Sequence, residues 1–174
     1  GRVFRLGGKG MPLLNASGET EVKTPESWNL EFQTGIAKDT LLFGGVRYVK
    51  HSQFRVDPDS FETVVGNGLI DLEDSTAYTL GVGRRFNEKF SAAISATYEA
   101  SGDELVSPLA PKTGYTQLRL AGSYNVTEDV TVSGGVSYFW LGDAKPETGT
   151  PDVARADFED NSAWGVGLKV AYRF

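Results

Sequence analysis

Residues 162–174 read SAWGVGLKVAYRF and alternate between two kinds of side chain. From Trp164 to Phe174 every even-numbered residue is large and apolar, whereas every odd-numbered residue is small or cationic. Because successive side chains of a β-strand point to opposite faces, the stretch predicts a strand with one wholly apolar face. Such a strand lies between two environments of different polarity, as in a membrane barrel or in one sheet of a soluble sandwich.

The same alternation recurs upstream and predicts seven strands in all. They fall at residues 26–37, 41–56, 76–86, 90–99, 115–126, 130–140 and 162–174, with the apolar face at even-numbered positions throughout. The connections between them alternate short and long, and the long ones are residues 57–75, 101–114 and 141–161. An antiparallel up-and-down barrel has this pattern, with tight turns on one side and exposed loops on the other. Residues 50 and 55 should then project beyond the membrane at the loop side.

Aromatic residues on the even-numbered face cluster at the two ends of the predicted strands. Those near the tight turns are Phe86, Phe90, Tyr124, Tyr172 and Phe174, and those near the long loops are Tyr48, Tyr78, Tyr98, Tyr138, Trp140 and Trp164. Two aromatic girdles around an aliphatic band are typical of an all-β, antiparallel transmembrane β-barrel. A soluble β-sandwich is the alternative, and the polar opposite face and the strand lengths count against it.

Composition excludes several other classes of protein. The chain has 174 residues, of which 23 are acidic and 17 basic, and its net charge of -6 argues against a nucleic-acid partner held by phosphate attraction. It has no cysteine, which excludes a disulfide scaffold, iron–sulfur clusters and thiolate zinc sites. No apolar run approaches the roughly 18 to 20 residues of a membrane helix.

Two short motifs carry a family resemblance. The motif TPESW, at residues 24–28, opens a strand, and HSQF, at residues 51–54, ends the next one after a tight turn. This arrangement, with seven strands running to a terminal Phe, resembles the C-terminal half of the FadL-like family, the outer-membrane transporters of long-chain fatty acids and toluene. The resemblance covers residues 18–174. The ending at Tyr172 and Phe174 also resembles that of other outer-membrane barrels, which implies recognition by the barrel-assembly machinery.

The resemblance implies a 14-stranded barrel to which this chain supplies about seven C-terminal strands. Residues 1–174 then belong to one barrel domain: residues 1–25 are a strand end and an extracellular loop, residues 26–174 hold the seven strands, and the family's N-terminal hatch and first strands are absent. An odd number of strands would leave the first and last parallel on closure. The implied location is multi-pass in the bacterial outer membrane, in contact with its lipid.

The implied function is passive transport of a hydrophobic small molecule, either a long-chain fatty acid or an aromatic hydrocarbon. A small eight-stranded structural or adhesive barrel is the alternative, since residues 2–6 could belong to an eighth strand. A third class is an outer-membrane hydrolase. The residues expected to line the substrate path from the odd-numbered face are Phe43, Arg47, Val49, His51, Tyr115, Arg119, Phe139 and Lys169.

The charged residues of this inward face allow two interpretations. Arg47, Arg119 or Lys169 could hold a ligand carboxylate, or they could pair with Glu31 and Glu99 in a lumenal ion-pair network. The sequence favours the network, because several of these charges lie at comparable depth when counted from their turns.

Neither catalysis nor a cofactor is expected from the sequence. His51 is the only histidine, and an outer-membrane serine hydrolase would need a serine and an orienting acid or amide beside it, whereas Ser52 faces the other way. Asp71, Glu73, Asp74 and the acids of residues 143–160 could bind calcium, but their spacing fits no EF-hand. They are interpreted as solvated loop residues, with no metal.

Overall fold

The computed structural model of the chain describes residues 24–53, 72–102, 105–106, 112–146 and 153–174, and this part is all-β. Its long strands are β1 (Glu26–Ala37), β2 (Thr40–Lys50), β3 (Ser75–Arg85), β4 (Phe90–Glu99), β6 (Tyr115–Asn125), β7 (Val130–Leu141) and β9 (Ser162–Tyr172). Two short strands, β5 (Leu105–Val106) and β8 (Lys145–Pro146), lie within the long loops, and His51–Gln53 form a 3₁₀ turn. Across the described ranges, no helix is long and apolar enough to cross a membrane.

The seven long strands form one antiparallel sheet in the order β1-β2-β3-β4-β6-β7-β9. The prediction of seven consecutive antiparallel strands is therefore confirmed. Within the described residues the sheet is open, with β1 and β9 as its two edges. Because each neighbour reverses direction and the count is odd, the two edge strands run the same way. The predicted strand end in residues 1–6 lies outside the described residues.

The apolar side of the sheet faces outwards. Large apolar side chains at even positions are exposed in every long strand, and the exposed fraction reaches 77% at Leu168 and 74% at Trp164. The buried hydrophobic residues of the described part are only Val49 and Ala144. Among the described residues, no apolar layer packs against this face of the sheet, as a soluble sandwich would require.

Two of the tight turns share one construction. Asn87 Oδ1 accepts hydrogen bonds from the N–H groups of Lys89 and Phe90, at 2.9 and 2.8 Å. Thr127 Oγ1 accepts from those of Asp129 and Val130, at 3.2 and 3.0 Å. A short polar side chain that accepts from the backbone two and three residues on favours a tight turn. The third turn has Asp39 at a positive φ of 57°.

Each tight turn is also joined to the strand beyond its own hairpin. A turn carbonyl accepts a hydrogen bond from the backbone N–H near the end of that strand, at 2.8 to 2.9 Å. The pairs are Asp39 with Arg85, Lys89 with Asn125 and Asp129 with Arg173. Because these bonds continue the ladder into the turns, the turn edge of the sheet is held in register across all seven strands.

The second strand ends earlier than the alternation predicts. The sequence predicts a strand over residues 41–56, but β2 ends at Lys50 and the chain turns at His51–Gln53. The Asp74 carboxylate accepts the Ser52 N–H at 3.0 Å and the Tyr48 hydroxyl at 2.7 Å, which draws the chain toward the start of β3. Residues 54–56 lie outside the described residues.

Parts of two long loops pack together at the end of the sheet opposite the tight turns. Thr113 is buried, and its hydroxyl donates a 2.6 Å hydrogen bond to the Asp143 carbonyl. The Gly142 N–H donates to the Gly114 carbonyl at 3.2 Å. The short strand β5 pairs in parallel with β8, and Ala144 forms an antiparallel bridge with Phe158. The predicted long loops over residues 101–114 and 141–161 therefore contain paired segments, while Asp143 and the described acids of residues 153–160 are exposed.

Candidate functional site

A trough of about 1000 Å³ lies on the odd-numbered face of the sheet. All seven long strands contribute to its lining, from Ala37 at the end of β1 to Lys169 in β9. The sheet must therefore curve around the trough, with the exposed apolar face on the convex side. The trough lies toward the tight turns, since Asp39, Arg85 and Ser91 are among its residues.

The floor of the trough is one transverse row of very small residues. Five positions on the odd-numbered face of neighbouring strands are in register with each other, and each of them is a glycine or an alanine. They are Gly83, Ala93, Ala121, Gly135 and Gly167. Because these residues place at most one methyl group each on the concave face, the sheet leaves open volume there.

The row on the turn side of this floor is polar. Ser91, Ser123, Ser133 and Lys169 are in register across β4, β6, β7 and β9. The Ser123 and Ser133 hydroxyls are 2.9 Å apart and hydrogen-bonded. The trough thus has hydroxyl groups and one ammonium group at its turn end.

The row on the loop side of the floor is mixed. This row crosses β2, β3, β4, β6 and β7 and consists of Phe43, Gly81, Ser95, Arg119 and Ser137. One aromatic ring and one guanidinium group therefore stand on the same level of the concave face, three strands apart. A pocket with apolar walls and a few placed polar groups is the usual form of a small-molecule site.

Two cations on the odd-numbered face of the trough have no carboxylate partner within the described part of the chain. Arg119 and Lys169 form no ion pair there, whereas Arg85 binds the Asp39 carboxylate, Nη2 to Oδ1, at 2.6 Å. Asp39 is the acid that lines the trough, and its charge is balanced by Arg85. The trough consequently carries an excess of positive charge and can hold an anionic group.

The predicted lumenal network of ion pairs is wrong for the described residues. Glu99, expected to pair with an inward cation such as Arg47 or Arg119, instead pairs with Lys112 of the loop that follows β4, at 3.2 Å between Nζ and Oε1. Lys112 Nζ also lies 5.2 Å from the centre of the Tyr115 ring. The loop supplies the counter-charge because Lys112 folds back over the end of β4, a contact that strand periodicity cannot predict.

The eight residues predicted to line a substrate path separate into two groups. Four of them, Phe43, Arg119, Phe139 and Lys169, line the trough. The other four lie outside its lining, toward the loop edge of the sheet; they are Arg47, Val49, His51 and Tyr115. Tyr115 still connects to the trough, because its ring centre is 5.9 Å from that of Phe139.

His51 lies in the 3₁₀ turn after β2 and not on the inward face of a strand, so its predicted position is wrong. Asp74, the acid that contacts this turn, accepts hydrogen bonds from Tyr48 and Ser52. No group of three or more His, Cys, Asp or Glu side chains that could hold a metal ion occurs among the described residues.

The predicted assembly residues lie at the turn side of the exposed face. Strand β9 ends at Tyr172, and the Tyr172 and Phe174 ring centres are 6.3 Å apart. Phe174 is fully exposed. The Arg173 N–H between them is bonded to the Asp129 carbonyl, which keeps both rings on the outer face.

Sequence reasoning missed the serine row and the glycine–alanine floor. Both rows could have been found by counting odd-numbered positions outward from each tight turn. The register between strands is regular over most of the sheet, so positions at equal distance from a turn are neighbours. No protein-family model matches the chain, and no curated protein matches it in sequence.

Proposed function

We propose that the chain forms part of an outer-membrane β-barrel that passively transports hydrophobic small molecules. The observation that carries the proposal is the pairing of an exposed apolar convex face with a concave trough of small, polar and unpaired cationic residues. The convex face would contact lipid, and the trough would form part of the path for the cargo. The resemblance of the TPESW and HSQF motifs to the FadL-like family supports the same reading.

The extent of the exposed apolar face supports the proposed location in a membrane. Exposed apolar residues run along whole strands, as at Trp164, Val166, Leu168 and Val170 of β9. Monomeric soluble proteins rarely expose contiguous apolar patches larger than a few hundred Å². Rings stand at both ends of the strands: Phe86 and Phe90 stack at the turn side, with centres 5.5 Å apart, and Tyr138 and Trp140 meet edge to face near the loops, at 4.7 Å.

Support for a larger barrel comes from the direction of the edge strands. Because β1 and β9 run the same way, antiparallel closure needs an odd number of further strands between them. Seven more would give the fourteen strands of the FadL-like barrels, and one more would give eight. Both totals are even, as in bacterial single-chain barrels.

The trough favours the transport reading over the small structural or adhesive barrel. An eight-stranded barrel has an interior just wide enough to be filled by side chains or to hold one small ligand. The row from Gly83 to Gly167 supplies almost no side-chain volume to fill such an interior. The eight-stranded alternative remains the second candidate, because one additional strand satisfies the edge directions equally well.

The cargo proposed is a long-chain fatty acid or an aromatic hydrocarbon, carried down its gradient without a cofactor. Phe43 and Phe139 give the trough apolar surface, and Arg119 and Lys169 offer charge-assisted hydrogen bonds to a carboxylate. The aromatic ending at Tyr172 and Phe174 would direct the chain to the barrel-assembly machinery.

The test is deletion of the gene, followed by measurement of labelled oleate and labelled toluene uptake. Loss of uptake of either compound, restored by the gene supplied in trans, is the expected result. The same strains report location, because the protein should fractionate with the outer membrane. Unchanged uptake of both compounds, with the protein in the outer membrane, would reject transport and favour the structural barrel.

A further inference from the structure

The ring of Phe43 occupies the space that a side chain at residue 81 would fill. Phe43 and Gly81 are direct partners across β2 and β3. A Cβ built on Gly81 would meet the Phe43 ring, with Cε2 at 2.7 Å, and the Cβ of Ser95 at 2.7 Å. Real Cβ atoms do not approach other atoms so closely, so the observed ring position requires a glycine at residue 81.

The next glycine on the same face of β3 shows that this is a local arrangement. A Cβ on Gly83 would meet Leu41 Cδ1 at 3.5 Å and Ala93 Cβ at 3.7 Å, which are ordinary contacts. Both glycines are buried and both belong to the concave face, but an alanine fits at only one of them. The close approach therefore belongs to Phe43 and Ser95 on either side of Gly81 and not to the sheet as a whole.

Phe43 is also the bulkiest group in its part of the trough. Along its row the neighbouring strands carry Gly81 and Ser95, and one row toward the turns they carry Gly83 and Ala93. On β2 itself, the row toward the turns carries Leu41, whose side chain is smaller than the Phe43 ring. The Phe43 ring is consequently the largest apolar group that narrows the trough over β2, β3 and β4.

We propose that Phe43, seated over Gly81, is a specificity-determining residue that limits how wide a hydrophobic chain the trough accepts. The inference rests on the proposed transport function and adds to it the residue that selects cargo by width. An unbranched chain passes beside the ring, whereas a chain with methyl branches collides with it. A missing or extra methylene in an apolar pocket changes selectivity by roughly 10- to 200-fold.

The experiment measures uptake of two carboxylic acids that differ in width but share the head group, labelled oleate and the methyl-branched acid phytanate. Cells lacking the chromosomal gene would express the full-length protein, either wild type or Phe43→Ala. We expect the ratio of phytanate to oleate uptake to rise about tenfold in the variant. Phe43→Leu, which keeps an apolar side chain in β2, should give an intermediate rise and serves if the alanine variant assembles poorly.

Two glycine substitutions form a matched pair. Gly81→Ala should force the Phe43 ring off the sheet and into the trough, which lowers the ratio of phytanate to oleate uptake. Gly35→Ala adds the same methyl group on the same face of the sheet, in β1 and outside the lining of the trough, where nothing lies within 4 Å of it. It should leave the ratio unchanged. The amount of assembled protein in the outer membrane is measured for each variant, and uptake is expressed per assembled protein.

The possible outcomes separate this inference from the proposed function. If the wild type takes up oleate and the ratio is unchanged in both Phe43→Ala and Phe43→Leu, Phe43 does not select cargo by width and the inference is overturned. Equal effects of Gly81→Ala and Gly35→Ala would overturn it as well. If the wild type takes up neither acid, the transport proposal fails first and the role of Phe43 falls with it.

Discussion

The Tyr48 hydroxyl donates a 2.7 Å hydrogen bond to Asp74 Oδ2, and the other oxygen of the same carboxylate accepts the Ser52 N–H at 3.0 Å. Asp74 is exposed and directly precedes β3. Its carboxylate therefore joins the start of β3 to the end of β2 and to the 3₁₀ turn that follows β2. This contact ends β2 at Lys50, because the chain is drawn sideways toward Asp74 as soon as the strand has passed Tyr48.

The Asp74 contact should weaken at low pH. The Ser52 N–H, and after it the Tyr48 hydroxyl, lower the pKa of Asp74 below its ordinary value. A carboxyl group with a depressed pKa stabilises the fold above its unfolded pKa, about 3.9, and that contribution is lost as the pH falls through the folded pKa. We expect hydrogen-exchange protection of the Ser52 amide to stay constant from about pH 7 to about pH 5 and to fall below about pH 4.

Asp74→Asn is the control for that titration, since an amide oxygen can still accept a hydrogen bond but does not titrate in this range. Its Ser52 protection should be lower than that of the wild type and flat over the same pH range. A variant profile that falls in parallel with the wild-type profile would mean that another group controls the turn.

The two faces of the sheet should respond differently to arginine. Leu80, Val136 and Val166 are exposed on the convex face, so Arg at any of them would face the proposed lipid and cost roughly 2 to 4 kcal/mol near mid-bilayer. Ser133 and Gly165 line the trough, and nothing lies within 4 Å of a Cβ placed on Gly165. Arg at Ser133, Gly165 or the inward Thr79 should therefore be tolerated better.

Heat-modifiable gel mobility of each arginine variant measures how much barrel has assembled. The convex-face variants should lose the folded band, whereas the trough variants should keep it. Equal loss in the two sets would contradict the assignment of the convex face to lipid.

Gly114 should be needed for the packing of the two long loops at the end of the sheet opposite the tight turns. It has a positive φ of 62°, and a Cβ there would meet the Glu99 and Ala100 carbonyl oxygens at 2.5 Å. Gly114→Ala should cost about 1 to 3 kcal/mol through backbone strain and release the Gly142 N–H from the Gly114 carbonyl. Proteolysis within residues 141–161 should accelerate as a result.

Gly167→Ala is the matched control for Gly114→Ala, because nothing lies within 4 Å of a Cβ at Gly167. Its proteolysis rate should equal that of the wild type. Equal rates for Gly114→Ala and the wild type would show that the loop contact does not depend on this backbone conformation.

The strands were predictable because their pattern and their ends are both local. The predicted strand over residues 26–37 and that over residues 90–99 agree with β1 and β4 at both ends. A proline precedes β1, and a tight turn borders the end of β1 and the start of β4. The short pair β5 and β8 has no such pattern, because it joins segments forty residues apart. Neither the early end of β2 nor the partner of Glu99 follows from periodicity, since each depends on a contact between a strand and a loop.

The candidate site was also predictable only in part. Inward orientation follows from parity, so Phe43, Arg119, Phe139 and Lys169 could be predicted as a set. The depth at which the trough lies depends on which transverse row is smallest, and this needs the register between strands. Arg47 and Tyr115 were included because they share the parity, although the trough lies nearer the turns.

Single-cysteine labelling should show which edge of the sheet faces the outside of the cell. The chain has no cysteine of its own, so Glu128→Cys in a tight turn and Glu159→Cys in a long loop would each carry the only thiol in this sequence. A membrane-impermeant maleimide added to intact cells should label the Glu159 variant and not the Glu128 variant. Both should react after lysis, and labelling of the turn residue alone in intact cells would reverse the topology.

The unpaired cations Arg119 and Lys169 should discriminate carboxylic acids from hydrocarbons. Arg119 and Lys169 line the trough and form no ion pair within the described residues, so a bound carboxylate would be their partner. A hydrogen bond to a charged group contributes about 1.5 to 3 kcal/mol, and about 1.4 kcal/mol corresponds to a tenfold change in affinity. Arg119→Gln or Lys169→Gln should therefore weaken oleate binding to the purified protein by about tenfold or more, whereas toluene binding should be unchanged. Arg47→Gln removes a cation on the same face but outside the trough, and it should leave both affinities as they are. An equal loss of oleate and toluene binding in the Arg119 and Lys169 variants would mean that these side chains maintain the shape of the trough and do not hold the head group.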